Sequence, residues 1–151
     1  MTTLILALAT GFYTGYLPKA PGTWGTLVAF PLHLLLIRLA PLPYACVLTG
    51  LLPLSILIAG SAEKIFNYKD PGAIVIDEIM GMLVALVGSP NKPLVWLLAF
   101  FVFRLFDIWK PFPIRWIDRR VQGGAGIVLD DVLAGVFTLM VLQGLGVVLG
   151  W

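Results

Sequence analysis

The chain has 151 residues, 60% of them hydrophobic and only 12% charged, with a formal net charge of +2 and a mean hydropathy of +0.99. A water-soluble domain carries about 25% charged residues, so this chain lacks the polar side chains to cover a water-facing surface and is expected to expose its apolar ones to a bilayer. The near-balanced charge argues against a nucleic-acid partner, and a single cysteine, Cys46, excludes an internal disulfide.

Residues 1–10 are apolar but have no basic flank, so a cleaved signal is not expected and the segment is kept in the mature protein. The stretch from Thr2 to Leu17, which holds Thr10, Gly11, Thr14 and Gly15, reads as an interfacial or re-entrant helix, or as a sixth span. Apolar runs at 24–40, 42–60, 74–88, 93–109 and 131–151 follow. A span needs about 20 residues, and none of these runs alternates as a barrel strand does. The fold class expected is therefore all-α: a polytopic membrane helical bundle of about five spans, as a single domain over residues 1–151. The third run is short and opens with acids, which suggests a start in a water-filled cavity.

Counting passages sorts the polar clusters. If the loop around Pro18 to Gly22 lies on one side, alternate turns return Ser61 to Gly72 and Arg104 to Lys110 to that side, and the last run leaves from it at Asp130 and Asp131. Lys19, Lys64, Lys69, Lys110, Arg115, Arg119 and Arg120 fall there as well, whereas Arg38 and Lys92 fall opposite. The positive-inside rule makes the first side cytoplasmic.

Acids in apolar runs are costly and so usually functional. Asp77 and Glu78 open one run, Asp130 and Asp131 another, and Asp107 sits three residues from both Arg104 and Lys110. Plain structural roles exist for each: complements to helix N-termini for the pairs, and a local ion-pair chain for Asp107. Gly81 and Gly135 follow Glu78 and Asp131 one turn later on the same helix face, where another helix can approach closely. Carboxylates recurring on one side of three helices point to a hard cation such as magnesium, with Glu78, Asp107 and Asp131 as ligands and Asp77 and Asp130 as ligands or their supports. Lys19, Arg104 and Lys110 offer positive charge to a phosphate. Thr23 and Thr26 lie in a Gly-containing stretch before the first run, and Gly124 and Gly126 lie in the stretch Gln122 to Gly126, which reads as a loop closing over a headgroup.

Other phosphatase chemistries lack their residues. Cys46 has no arginine about five or six residues later, no Asp-x-Asp motif occurs, a Walker loop is missing, and the one histidine, His33, cannot form a histidine pair. Both His33 and Cys46 read as dispensable for chemistry. What remains is attack by metal-activated water, the favoured route, or by a carboxylate. The main rival is a small ion or proton transporter that uses the buried acids; it requires polar groups through the midplane, and here they gather at one side.

Four motifs carry a family resemblance: Leu17-Pro-Lys-Ala-Pro-Gly-Thr-Trp-Gly-Thr, Val75-Ile-Asp-Glu-Ile-Met-Gly-Met, Phe103-Arg-Leu-Phe-Asp-Ile-Trp-Lys-Pro-Phe-Pro-Ile and Gly123-Gly-Ala-Gly-Ile-Val-Leu-Asp-Asp-Val-Leu-Ala-Gly. Together they resemble the phosphatidylglycerophosphatase A family, in its order and over most of the chain. Thr26 stands where the family often has serine, which keeps the hydroxyl. The resemblance implies magnesium-dependent removal of the terminal phosphate of phosphatidylglycerophosphate, giving phosphatidylglycerol, at the cytoplasmic face of a bacterial inner membrane. The charged clusters supply the expected catalytic set, Asp77, Glu78, Asp107, Lys110 and Asp131, and the resemblance implies the lipid and the membrane as partners.

Overall fold

The computed structural model describes residues 2–150 and is all-helical over that range. The elements are α1 (Thr2–Ala9), a 3-10 turn (Thr14–Tyr16), α2 (Pro21–Leu36), α3 (Pro41–Phe66), α4 (Ile76–Ala85), α5 (Pro93–Trp109), α6 (Ile114–Arg120) and α7 (Gly123–Leu149). Proline opens α2, α3 and α5, where its missing N–H would have had no helical partner in any case. Left-handed residues close three helices: Asn67 after α3, Lys110 after α5 and Gly150 after α7.

Helix α7 is the axis of the bundle and packs against α3, α4, α5 and α6. Small residues permit those approaches. A Cβ added at Gly81 would meet the Asp131 carbonyl and the Phe103 ring, and one at Gly135 would meet the Gly81 carbonyl. Helices α4 and α7 therefore touch backbone to backbone, with their acids on either side of the contact. Val75, Met82, Leu86, Phe103 and Ile114 fill the core around it and are fully buried.

Two helices, α3 with 26 residues and α7 with 27, are long and apolar enough to cross a membrane. Leu42, Leu57, Val147 and Val148 on these helices face outward. The other expected spans form helices of 16 (α2), 10 (α4) and 17 residues (α5). Against a minimum of about 17 residues, α5 stands at the limit and α4 well below it.

Three expectations change. The N-terminal helix has 8 residues, about 12 Å of rise, so it cannot be a sixth span; it ends before Gly11, whose φ is +54°, and lies on α3. The last helix begins at Gly123, not at residue 131, and the final residue of the expected 131–151 span, Trp151, lies outside the described residues. The stretch Gln122 to Gly126 is consequently not a loop. Gln122 caps α7 and the glycines form its first turn. The short helix α6, which follows Pro111 and Pro113, was not foreseen from the apolar runs.

Candidate metal and phosphate site

Helices α3 and α5 end, and α2, α4 and α7 begin, at the same end of the bundle. A cleft of about 200 Å³ opens there between α3, α4, α5, α6 and α7. Its lining includes Asp77, Glu78, Asp107, Asp130 and Asp131, and also Glu63, Asp70 and Asp118. The chain contains 8 acidic residues, so every Asp and Glu it possesses faces one cleft. Lys69 and Lys110 line the same space, and Arg104 adjoins it through Glu78 and Asp107.

The acids divide into an inner group and paired ones. Asp77, Glu78 and Asp131 each offer an oxygen, and these oxygens lie within 4.8 Å of one another. Asp107 holds Arg104 at 2.6 Å, and the second ion pair of Arg104, to Glu78, is longer at 3.8 Å. Lys110 Nζ donates to Asp118 Oδ1 at 2.7 Å and to Asp130 Oδ2. Both members of the α4 pair thus face the inner group. On α7 only Asp131 does, because the adjacent Asp130 points about 100° away, toward Lys110.

Local backbone explains these directions. Asp77 and Glu78 occupy the first turn of α4, where acids suit the helix dipole. Asp130 and Asp131 do not share that explanation. Asp130 is the eighth residue of a helix that begins at Gly123, about 10 Å along its axis. Lys110 has φ 48°, a left-handed conformation that is unfavourable for a residue with a Cβ; with Pro111 after it, the chain leaves α5 there. Burial disfavours the Lys110 charge, but hydrogen bonds to Asp118 and Asp130 and their charges outweigh it, and its pKa is raised above the ordinary lysine value. Burial likewise pushes the Asp70 carboxyl up, partly opposed by the nearby Lys110.

Four buried carboxylate oxygens have no hydrogen-bond partner: Asp77 Oδ1, Glu78 Oε2, Asp130 Oδ1 and Asp131 Oδ2. Buried polar atoms are nearly always paired, and clustered carboxylates repel one another. A divalent cation would answer both problems, and an all-oxygen donor set would suit a hard ion better than zinc.

The residues expected to bind substrate fall in different places. Arg104 and Lys110 stand at the cleft, and Gly126 lines it. Gly124 does not: a Cβ there would meet the Ile56 carbonyl and Gly60, so it serves the crossing of α7 with α3. Thr26 is buried, and its hydroxyl donates to the Gly22 carbonyl at 2.8 Å inside α2. Thr23 lies in the first turn of that helix. Lys19 is exposed before α2, and its carbonyl accepts from the Trp24 indole. Gly22, which sequence reasoning passed over, sits against Glu78 and Arg104, where any Cβ would displace the Glu78 carboxylate. Glu63, Asp70 and Asp118 were also missed; the passage count had put their segments on the correct side, but none lies in an apolar run, so nothing marked them as costly.

His33 and Cys46 are remote from the cleft. His33 is buried with Nδ1 3.0 Å from the Tyr44 hydroxyl, and Cys46 is exposed on α3.

The family model for phosphatidylglycerophosphatase A matches residues 7–146. The phosphatidylglycerophosphatase A of Escherichia coli is 39% identical over 140 residues, covering 92% of this chain and 81% of its own. That of Haemophilus influenzae is 38% identical over 137 residues, covering 89% and 84%. A Bacteroides thetaiotaomicron protein provisionally named a phosphatidylinositol-3-phosphatase is 36% identical over 146 residues, covering 92% and 91%. No solved structure matches the chain.

Proposed function

The chain belongs to the phosphatidylglycerophosphatase A family, and from that premise we propose that it hydrolyses the terminal phosphate monoester of phosphatidylglycerophosphate to give phosphatidylglycerol and inorganic phosphate. The observation that carries the chemistry is the convergence of every carboxylate on one cleft, beside Arg104 and Lys110. So acidic a cleft repels a phosphate dianion unless a cation is bound with it. The reading therefore includes magnesium, held by Asp77, Glu78 and Asp131. When bound, it supplies Lewis acidity toward phosphate oxygens and makes water a better nucleophile at neutral pH.

The protein's own groups do the rest. Asp107 fixes the Arg104 guanidinium, whose remaining donors meet the phosphate. Lys110 is held between Asp118 and Asp130 and adds a second positive charge against the charge that develops on phosphoryl transfer. Asp130 gives one oxygen to Lys110 and keeps Oδ1 free to accept the proton that water loses. The bond between phosphorus and the headgroup oxygen breaks, and that oxygen leaves as the alcohol after taking the proton that Asp130 received from the water.

The same reading places the bundle in a bacterial inner membrane, multi-pass, with the cleft toward the cytoplasm. Helices α3 and α7 cross in full, and α2, α5 and the short α4 cross with them, shielded by neighbours. Its support is the gathering of basic residues beside the cleft, with only Arg38 and Lys92 at the far end.

Phosphate release from phosphatidylglycerophosphate by the purified chain, with magnesium and with a chelator, tests the proposal. No release under any metal condition sinks the lipid phosphatase reading. Release that survives thorough chelation sinks the magnesium assignment.

A further inference from the structure

The acidic cleft has little positive charge left for a second phosphate: of the cations at it, among the described residues, only Lys69 has no ion pair, against eight acids. Arg104 is engaged by Asp107 and Glu78, and Lys110 by Asp118 and Asp130. Beside it lies another hollow, a groove of about 540 Å³ along the corner between α5 and α6. Lys110 lines both spaces, so the two adjoin there. The groove has aromatic walls, Trp109, Phe112 and Trp116, which are 61%, 82% and 54% exposed. It also holds Arg115 and Arg119. Among the described residues neither arginine has a carboxylate partner; Arg115 only donates to the Trp109 carbonyl, at 3.2 Å, which ties it to the groove wall.

We propose that this groove holds the diester phosphate and the adjoining acyl chain of the substrate lipid molecule, which rests on the lipid phosphatase reading above. Arg115 and Arg119 are the counter-charges for the diester, and the three aromatic rings are the wall for the chain. The substrate carries two phosphates joined through a short glycerol. With the monoester at the carboxylates, the diester must lie next door, outside the negative field. The groove meets that requirement in three ways. It adjoins the cleft at Lys110, its volume is that of a small-molecule site, and it pairs unengaged guanidinium groups with amphipathic rings, the combination suited to a phosphate at the foot of a hydrocarbon chain. The diester survives the reaction, so the product binds the groove as well.

The test measures phosphate release by the purified full-length chain in neutral-detergent micelles across a range of phosphatidylglycerophosphate mole fractions. The Arg115→Gln, Arg119→Gln double variant is expected to raise KM about tenfold, the scale of one lost charge-assisted contact. Inhibition by added phosphatidylglycerol should weaken by the same factor. Trp116→Ala should raise KM more for long-chain than for short-chain lipid. Arg38→Gln, at the opposite end of the bundle, should match wild type. Unchanged KM and unchanged product inhibition in the double variant overturn the proposal. So does recovery of KM on adding a phosphate-free anionic detergent, since the arginines would then be general surface anchors. A wild-type chain that releases no phosphate from the lipid overturns the functional reading itself and not only the groove.

Discussion

The bundle buries polar side chains at both ends, and the two ends solve the problem differently. At the far end, His33 meets the Tyr44 hydroxyl at 3.0 Å and the edge of the Trp96 ring, beside a cavity of about 180 Å³. The groups there are neutral or readily become so; His33 Nδ1 and the Tyr44 hydroxyl pair with each other, while His33 Nε2 and Ser89 Oγ, which have no protein partner, border a space large enough for water. At the cleft, the polar groups are carboxylates, which repel one another whenever they are ionised together. One end is a neutral cluster built around a hydrogen bond. The other is a set of carboxylates that could hold a cation. Between them α4 presents an apolar stretch from Ile79 to Ala85, so the two polar regions are not joined along that helix, which weighs against an ion-conducting path.

The sharpest way to break this comparison is Asp131→Asn, which keeps shape and removes charge from the inner group. It should lower turnover at saturating lipid and magnesium at least about a thousandfold, roughly 4 kcal/mol of barrier. The thermal midpoint should hold or rise, because one of several repelling charges is gone. Wild-type activity in this variant would make the carboxylate cluster structural, like the far end.

A smaller loss, about a hundredfold, is expected for Lys110→Ala, with the magnesium concentration for half-maximal activity little changed. Asp107→Asn, titrated beside it, separates two roles. If Asp107 acts through Arg104, it resembles Lys110→Ala; if it is a ligand, the magnesium requirement rises. A Lys110→Ala variant that needs much more magnesium would show that the lysine organises the metal and not the phosphate.

Gly135→Val probes the contact that brings the acids together. Its side chain would meet the Gly81 carbonyl, so the helices must separate, at a cost of about 1–3 kcal/mol. Thermal unfolding in detergent should show a lowered midpoint, together with weaker magnesium dependence of that midpoint. An unchanged midpoint would mean that α4 and α7 are not held as closely as described.

The smallest effects belong to the far end and to the surface of α3. His33→Gln should stay within a few-fold of wild-type turnover and lose about 1 kcal/mol with the Tyr44 hydrogen bond. Cys46→Ala should leave both measurements alone. A thousandfold loss in a folded His33→Gln protein would erase the distinction between the two ends.

Much of this molecule is legible in the chain alone. The apolar runs are local properties, and each became a helix. The sidedness of the polar clusters follows from counting passages, and that count puts the segments carrying Asp77, Asp107 and Asp131 together, as well as those carrying Glu63 and Asp70. Helix starts at Pro21, Pro41 and Pro93 follow from the geometry of proline. The four motifs also suffice to suggest the family. The Asp107 pair with Arg104 is local, three residues apart on α5, but tertiary structure alone decided how the other acids are shared. Asp130 turns to Lys110, while Asp77 joins Glu78 and Asp131. Adjacent helix positions diverge by about 100°, so these choices depend on the rotation of each helix about its axis. That rotation is set by the contact of Gly81 with Gly135 and of Gly124 with Gly60. Glycine marks such an approach as possible at many places in a sequence; only the packed bundle decides which of them is used.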